Sequence, residues 1–118
     1  MNHIELGKKG ETIAANLLIS KEYQILDRNY YWKNSEVDII CVKNEMLIII
    51  EVKTRRTSAF GQPYKSVNRN KQRQIIKVTN EYIKLNDIKM EVRFDVISIV
   101  LNKGFMNLEH IENAFYPL

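Results

Sequence analysis

Glu36-Val37-Asp38-Ile39-Ile40-Cys41-Val42-Lys43-Asn44-Glu45-Met46-Leu47-Ile48-Ile49-Ile50-Glu51-Val52-Lys53 is the stretch whose reading decides the fold. Residues 36–42 and 46–53 are rich in β-branched side chains and apolar at consecutive positions. Both read as central strands covered on each face. The connection is short enough for a hairpin. A two-residue turn at Asn44-Glu45 sets Lys43 opposite Met46, and the same register sets Asp38 against Glu51 and Glu36 against Lys53. Side chains opposed in this way have Cβ atoms about 4.5–5.5 Å apart. Two carboxylates are therefore expected to aim at one point.

Like charges directly opposed destabilise a sheet, and burial raises the cost. A proton, a basic partner or a divalent cation must compensate. Paired carboxylates with a backbone carbonyl and waters suit a hard cation such as Mg²⁺. Lys53 lies two residues after Glu51 and so on the same strand face, where it can hold an attacking water or stabilise charge on a phosphate. Asp38, Glu51 and Lys53 have the ingredients for metal-assisted phosphodiester hydrolysis. They are equally the ingredients of a structural ion pair on a sheet face, and spacing alone leaves both readings open.

Outward from this hairpin the chain reads as helix, three strands, helix, then one or two strands. Residues 6–22 form a helical stripe of Gly7, Gly10, Ala14, Leu17, Leu18 and Lys21 with Ile13 beside it. Glu11 shares the stripe of Ala14 and Leu18, an unusual place for an acid. Residues 23–28 read as a short strand, 54–66 as a loop, 67–85 as a second helix, 91–101 as a strand and 106–111 as an edge strand. The order suggests an α/β domain in which a central mixed sheet is flanked by helices.

The chain has 118 residues, which favours one domain spanning 1–118. With 45% hydrophobic and 27% charged residues, disorder is not expected. No apolar run approaches the roughly 20 residues of a membrane span, and the first residues lack the pattern of a secretory signal. One cysteine, Cys41, excludes an internal disulfide, and with His3 and His110 it is too little for a structural zinc site. A reduced, cytoplasmic domain is expected. The net charge of +4 is unevenly spread. Lys53, Arg55, Arg56, Lys65, Arg69, Lys71, Arg73 and Lys77 fall in one acid-free segment of +8, leaving ten basic side chains against fourteen acidic elsewhere. Such a stripe fits a phosphate backbone and equally a solvated loop and helix face.

The series Gly7-x-x-Gly10-Glu11, Ile25-Leu26-x-Arg28-Asn29, Glu36-Val37-Asp38-Ile39-Ile40, Glu51-Val52-Lys53-Thr54-Arg55, Phe60-Gly61, Val67, Lys71, Arg93-Phe94-Asp95-Val96-Ile97 and His110-Ile111-x-Asn113-Ala114-Phe115 runs nearly end to end. Asp38 followed by Glu51-Val52-Lys53 resembles the signature of the PD-(D/E)XK nuclease superfamily. The whole series resembles the YraN family of small bacterial proteins, which is similar to archaeal Holliday junction resolvases. One departure is Ser35, where that family usually has Gly before the Glu-x-Asp strand; it removes no ligand.

The resemblance implies a restriction-endonuclease-like core and a Mg²⁺-dependent endonuclease, with Mn²⁺ as substitute, acting on DNA in recombination or repair. It implies Asp38, Glu51 and the Val52 carbonyl as metal ligands, Glu11 as an acid reaching the metal directly or through water, and Lys53 as the catalytic lysine. Symmetric cleavage by resolvases implies a homodimer. Arg55, Arg56, Lys65, Arg69, Lys71, Gln72 and Arg73 are the candidate DNA contacts, Arg55 and Arg56 for backbone phosphates just past the site. Tyr30, Tyr31 and Trp32 fit stacking on unpaired bases and fit packing as well. Asp95 reads as a structural salt bridge with Arg93 or another base, Cys41 as an inert buried thiol, and His3 and His110 carry no assigned chemistry. A competing reading keeps the fold as a DNA-binding module without turnover, acting with partners.

Overall fold

The computed structural model describes residues 1–57 and 67–116. Helix α1 (His3–Ser20) is followed by strands β1 (Gln24–Trp32), β2 (Ser35–Lys43) and β3 (Met46–Arg55), helix α2 (Arg69–Asn86), and strands β4 (Glu91–Asn102) and β5 (Phe105–Phe115). The strands form one sheet in sequence order, antiparallel except for the parallel pair β3–β4. The expected α/β class and mixed sheet are thus present. A parallel neighbour requires a crossover, and α2 lies between β3 and β4 in the chain.

The helices cover opposite faces. Ala14, Ala15 and Leu18 of α1 pack with Ile39, Cys41, Ile48, Ile50, Ile97 and Ile99. Ile75, Val78 and Tyr82 of α2 pack with Ile40, Leu47, Ile49, Phe94 and Val96. Alternation along β3 therefore divides its side chains cleanly between the two cores, and its uninterrupted apolar run is the consequence of having both faces covered.

Element ends differ from the sequence expectation in ways local chemistry explains. Helix α1 begins earlier because the Asn2 side chain caps it, accepting from the Glu5 N–H at 2.9 Å. Lys21 is exposed beyond its last turn rather than part of a buried stripe, and Ala15 is buried instead. Helix α2 begins two residues late, capped by Asn68 on the Lys71 N–H at 2.9 Å. Leu85, expected in its apolar set, is 75% exposed. Strand β1 runs four residues past Arg28, and β5 reaches Phe115. Thr54 and Arg55, read as loop, continue β3. Arg56 and Thr57 lie beyond the strand as expected, and residues 58–66 of that loop expectation lie outside the described residues.

The Asn44-Glu45 turn has two residues as expected, with φ of 51° and 63°, the positive pair that matches strand twist in a tight hairpin. Cys41 is buried, and burial pushes its thiol up to about 12, so it is inert at neutral pH. Among the described residues, no helix is long and apolar enough to cross a membrane.

Candidate functional site

The β2–β3 ladder follows the expected register from Lys43↔Met46 to Ile39↔Ile50 and ends there. Asp38 and Glu51 come next on their strands but are not paired partners, and neither are Glu36 and Lys53. Direct opposition of the two acids is thus replaced by a splay. Asp38 Oδ2 accepts the main-chain N–H of Val52 at 2.7 Å. That N–H would otherwise be satisfied by the facing strand, so the side chain stands in for a ladder carbonyl. Parting the strands relieves the repulsion that regular pairing would impose.

The other neighbour gives way as well. The β1–β2 ladder passes from Arg28↔Ile39 to Tyr30↔Val37, skipping Asn29 and Asp38. Asn29 has φ 52°, a left-handed conformation that Asn tolerates better than most residues. Its amide donates to Glu11 Oε1 at 2.7 Å and lies 3.4 Å from Glu36 Oε1.

Glu11 arrives from α1, and Gly10 sets how close that helix comes. A Cβ at Gly10 would stand 1.8 Å from Thr54 Oγ1 and 2.8 Å from Thr54 Cβ. Only a residue without a side chain lets α1 rest on β3 at Thr54, immediately after Lys53. The Glu11 charge helps raise Asp38, so the two acids sense one another.

Glu51 points to the α2 face, where it is 3% exposed. Lys71 of α2 lies 3.8 Å from its Oε1. Its Oε2 is buried with no hydrogen-bond partner among the described residues. Burial pushes Glu51 up to about 8, the Asp38 charge adds to this, and Lys71 and Lys53 oppose it. Burial likewise raises Asp38 to about 6, against the Val52 N–H and with help from Glu11 and Glu36. Near neutral pH the pair resists carrying two negative charges.

Lys71 approaches only one oxygen of Glu51, so the other is left, among the described residues, as a buried donor atom without a partner. N–H and C=O of one strand residue point to the same side, so the Val52 carbonyl faces the gap that Asp38 enters. Two carboxylates and a carbonyl are oxygen donors of the kind Mg²⁺ or Mn²⁺ takes, with waters completing the shell. Among the described residues, no three His, Cys, Asp or Glu side chains form a ready metal cage. Glu11 is held by Asn29 rather than aimed at Glu51.

The basic residues scatter more than their run in sequence suggests. Lys53 is half-buried beside the acids, and Lys71 faces Glu51. Arg69 and Arg73 are exposed on α2 and share a groove of about 340 Å³ with Ile76, Lys77 and Tyr116. Gln72 also lines it, but its amide donates to the Val67 carbonyl at 2.8 Å and so secures the start of α2. Arg55 is half-buried, Arg56 is exposed and donates to the Met1 carbonyl, and Lys65 lies outside the described residues.

The aromatic cluster divides. Tyr30 meets Tyr82 edge-on at 4.9 Å, and Trp32 packs against the α2-side core. Tyr31 is 66% exposed, and its hydrogen bond with Glu36 raises its hydroxyl pKa. Asp95 is the structural anchor expected of it. It accepts from Arg93 Nε and Nη2, both at 2.9 Å, and from the Asn113 N–H at 2.9 Å, with His110 Nε2 at 2.8 Å. His110, given no role from sequence, closes this network. Asn29 was also missed as a positioning group; its signal was its place in the Arg28-Asn29 dipeptide.

The model of the uncharacterised protein family UPF0102 matches residues 10–99. The chain is 46% identical over 114 residues to a UPF0102 protein of Christiangramia forsetii, covering 97% of this chain and 96% of that protein. It is 43% identical over 118 residues to one of Dictyoglomus turgidum, covering 98% and 100%. A UPF0102 protein of Phocaeicola vulgatus is 44% identical over 115 residues, covering 98% and 95%. The match spans both strands of the acid pair and the helix that supplies Lys71, and the chain belongs to family UPF0102, the YraN proteins.

Proposed function

We propose that this protein is a metal-dependent nuclease of the PD-(D/E)XK kind that hydrolyses DNA phosphodiester bonds as an endonuclease, on branched or other recombination and repair intermediates. The observation that carries the reading is the buried Glu51 Oε2, without a hydrogen-bond partner among the described residues, near Asp38 at the end of the β2–β3 ladder. A purely structural acid pair would be expected to have all its oxygens satisfied.

Asp38, Glu51 and the Val52 carbonyl would hold the cation, and Glu11 would join through water. Bound there, Mg²⁺ or Mn²⁺ would supply Lewis-acid polarisation of the phosphoryl oxygens and lower the pKa of a coordinated water. Lys53, on the same strand face as Glu51, orients the attacking water toward phosphorus and offsets charge that develops on the phosphate. Lys71 sits where it can exchange its Glu51 contact for a phosphate oxygen. Arg69 and Arg73, exposed on the same helix, hold neighbouring phosphates, and these contacts set register without reading sequence. A homodimer would present two such sites to two strands.

The test is a cleavage panel over single-stranded, duplex, flapped and four-way DNA with Mg²⁺ or Mn²⁺. Activity that Asp38→Ala and Lys53→Ala both abolish supports the reading. No cleavage of any substrate, or cleavage that survives both substitutions, sinks it. The Lys71–Glu51 ion pair favours a second reading, since it already brings a cation to one acid. In that case the protein binds DNA without turnover, and binding is salt-sensitive but indifferent to EDTA.

A further inference from the structure

The β4–β5 hairpin ends in a patch that the site above does not use. Phe105 and Met106 are 58% and 55% exposed there. With Met1, Lys9, Arg56 and Lys103 they line a groove of about 740 Å³ between the hairpin, the first turns of α1 and the end of β3. The lining includes three cations and no acid. Large apolar side chains held out into solvent inside a ring of positive charge call for a ligand that is both flat and anionic.

Position narrows the choice. Strands β3 and β4 run parallel, with Lys53 beside Ser98 and Arg55 beside Val100. The hairpin therefore projects from the same end of the sheet as the acid pair. Arg56 lies one residue past the end of β3 and three past Lys53, about 10 Å along an extended chain, so the patch is within a few nucleotides of the site. Arg56 also belongs to the acid-free basic segment, so the patch continues that segment onto the α1 side of the sheet. A second copy of the chain is a poor occupant. An isologous contact would set the same three cations against themselves.

We infer that this hairpin patch is a docking subsite for unpaired bases of the DNA substrate. Phe105 offers a ring for a base to stack upon, Met106 fills beside it, and Lys9, Arg56 and Lys103 hold the flanking phosphates. Bases within a duplex are already stacked on one another, so the subsite selects DNA with single-stranded nucleotides near the cut. This inference rests on the DNA reading above and extends it to a substrate feature.

The experiment compares binding of the full chain to two DNAs in buffer holding Ca²⁺ in place of Mg²⁺. One is a fully paired duplex; the other carries a three-nucleotide unpaired tail with 2-aminopurine in it. Wild type should prefer the tailed DNA and quench the 2-aminopurine. Phe105→Ser should lose about 10-fold on the tailed DNA, the scale of one base–aromatic stack, and under about 2-fold on the duplex. Phe105→Trp should restore both affinity and quenching. Equal losses on the two DNAs, or no loss, overturn the inference while leaving the DNA reading intact. A wild-type dimer that Phe105→Ser dissolves, with tail preference retained, also overturns it. Wild type that binds neither DNA overturns the DNA reading itself.

Discussion

The carboxylate of Asp38 takes the main-chain N–H of Val52 at 2.7 Å, so a side chain occupies a place in the β2–β3 ladder that belongs to backbone. The bond ties the acid to the strand that carries Glu51 and Lys53.

Asp38→Asn and Asp38→Ala should therefore part company. Asparagine keeps an acceptor for Val52 and removes a charge that burial disfavours. It should fold with stability equal to wild type or greater. Alanine leaves the N–H unsatisfied and should cost about 1–3 kcal/mol. Both should lose metal-dependent cleavage. Urea denaturation of the two variants separates the structural from the chemical role; equal stability losses would refute the division.

Stability should also carry the signature of the acid pair. Both acids have folded-state pKa values raised above their usual range, Asp38 to about 6 and Glu51 to about 8, chiefly by burial. The native state thus binds more protons than the unfolded one between roughly pH 4 and 8. The stability these groups contribute is fully present below the unfolded pKa and is lost as pH rises through about 6 and then about 8. Melts in EDTA at pH 5 and pH 8.5 should show that fall, and Mg²⁺ should restore stability at pH 8.5. In an Asp38→Asn/Glu51→Gln double variant this part of the slope and the Mg²⁺ effect should both vanish.

Gly10→Ala should push α1 away from β3. The added methyl would meet Thr54 Oγ1 at 1.8 Å, far inside contact. Overpacking of this kind costs about 1–3 kcal/mol, and the shift would carry Glu11 with it. Thr54→Gly in the same chain should recover much of the loss, and a double-mutant cycle by denaturation measures the coupling. Additive effects would mean that the two positions do not press on one another.

Asp95→Ala should be among the more damaging single changes. Asp95 is fully buried and takes two bonds from Arg93, one from the Asn113 N–H and a contact with His110. Burial pulls its pKa up, but the bonds from His110, Arg93 and Asn113 outweigh burial and hold it below the usual range. Its stabilising share is present above the unfolded pKa and lost as pH falls through the lowered folded value. Removing it leaves Arg93 to Glu112, at 2.9 Å, and the Tyr23 hydroxyl, and leaves the Asn113 N–H without its acceptor, at a cost of about 1–3 kcal/mol by chemical denaturation.

The hairpin from 36 to 53 was legible because strand alternation, β-branching and a two-residue turn all point the same way. Its register was right from Lys43↔Met46 to Ile39↔Ile50. It failed at Asp38 and Glu51, where side-chain chemistry competes with the ladder and wins. Asn29 shows the same limit: the pattern ends the strand at Arg28, whereas β1 runs on through Asn29 to Trp32 with Asn29 in a left-handed conformation and its amide on Glu11 and Glu36. Glu11 stood out in sequence as an acid among apolar neighbours, whereas the closeness of α1 to Thr54 did not. The +8 run read as one stripe, yet Gln72 within it secures the start of α2 and Lys71 turns inward to Glu51. Charge counted along a chain does not record which way a helix faces.

Asn44 and Glu45 close the hairpin in the tightest way available, and so only twelve residues of chain lie between the two acids. Closing so short a loop costs little entropy, and the contact is local in the sense that speeds folding. The acids are expected to approach one another while the nascent hairpin is still wet, where two charges 4 Å apart repel by about 1 kcal/mol. Helix α2 and strand β4 follow later in the chain and bring the dry surroundings with them. The order of residues thus places the repulsive encounter at the stage of folding when water damps it most.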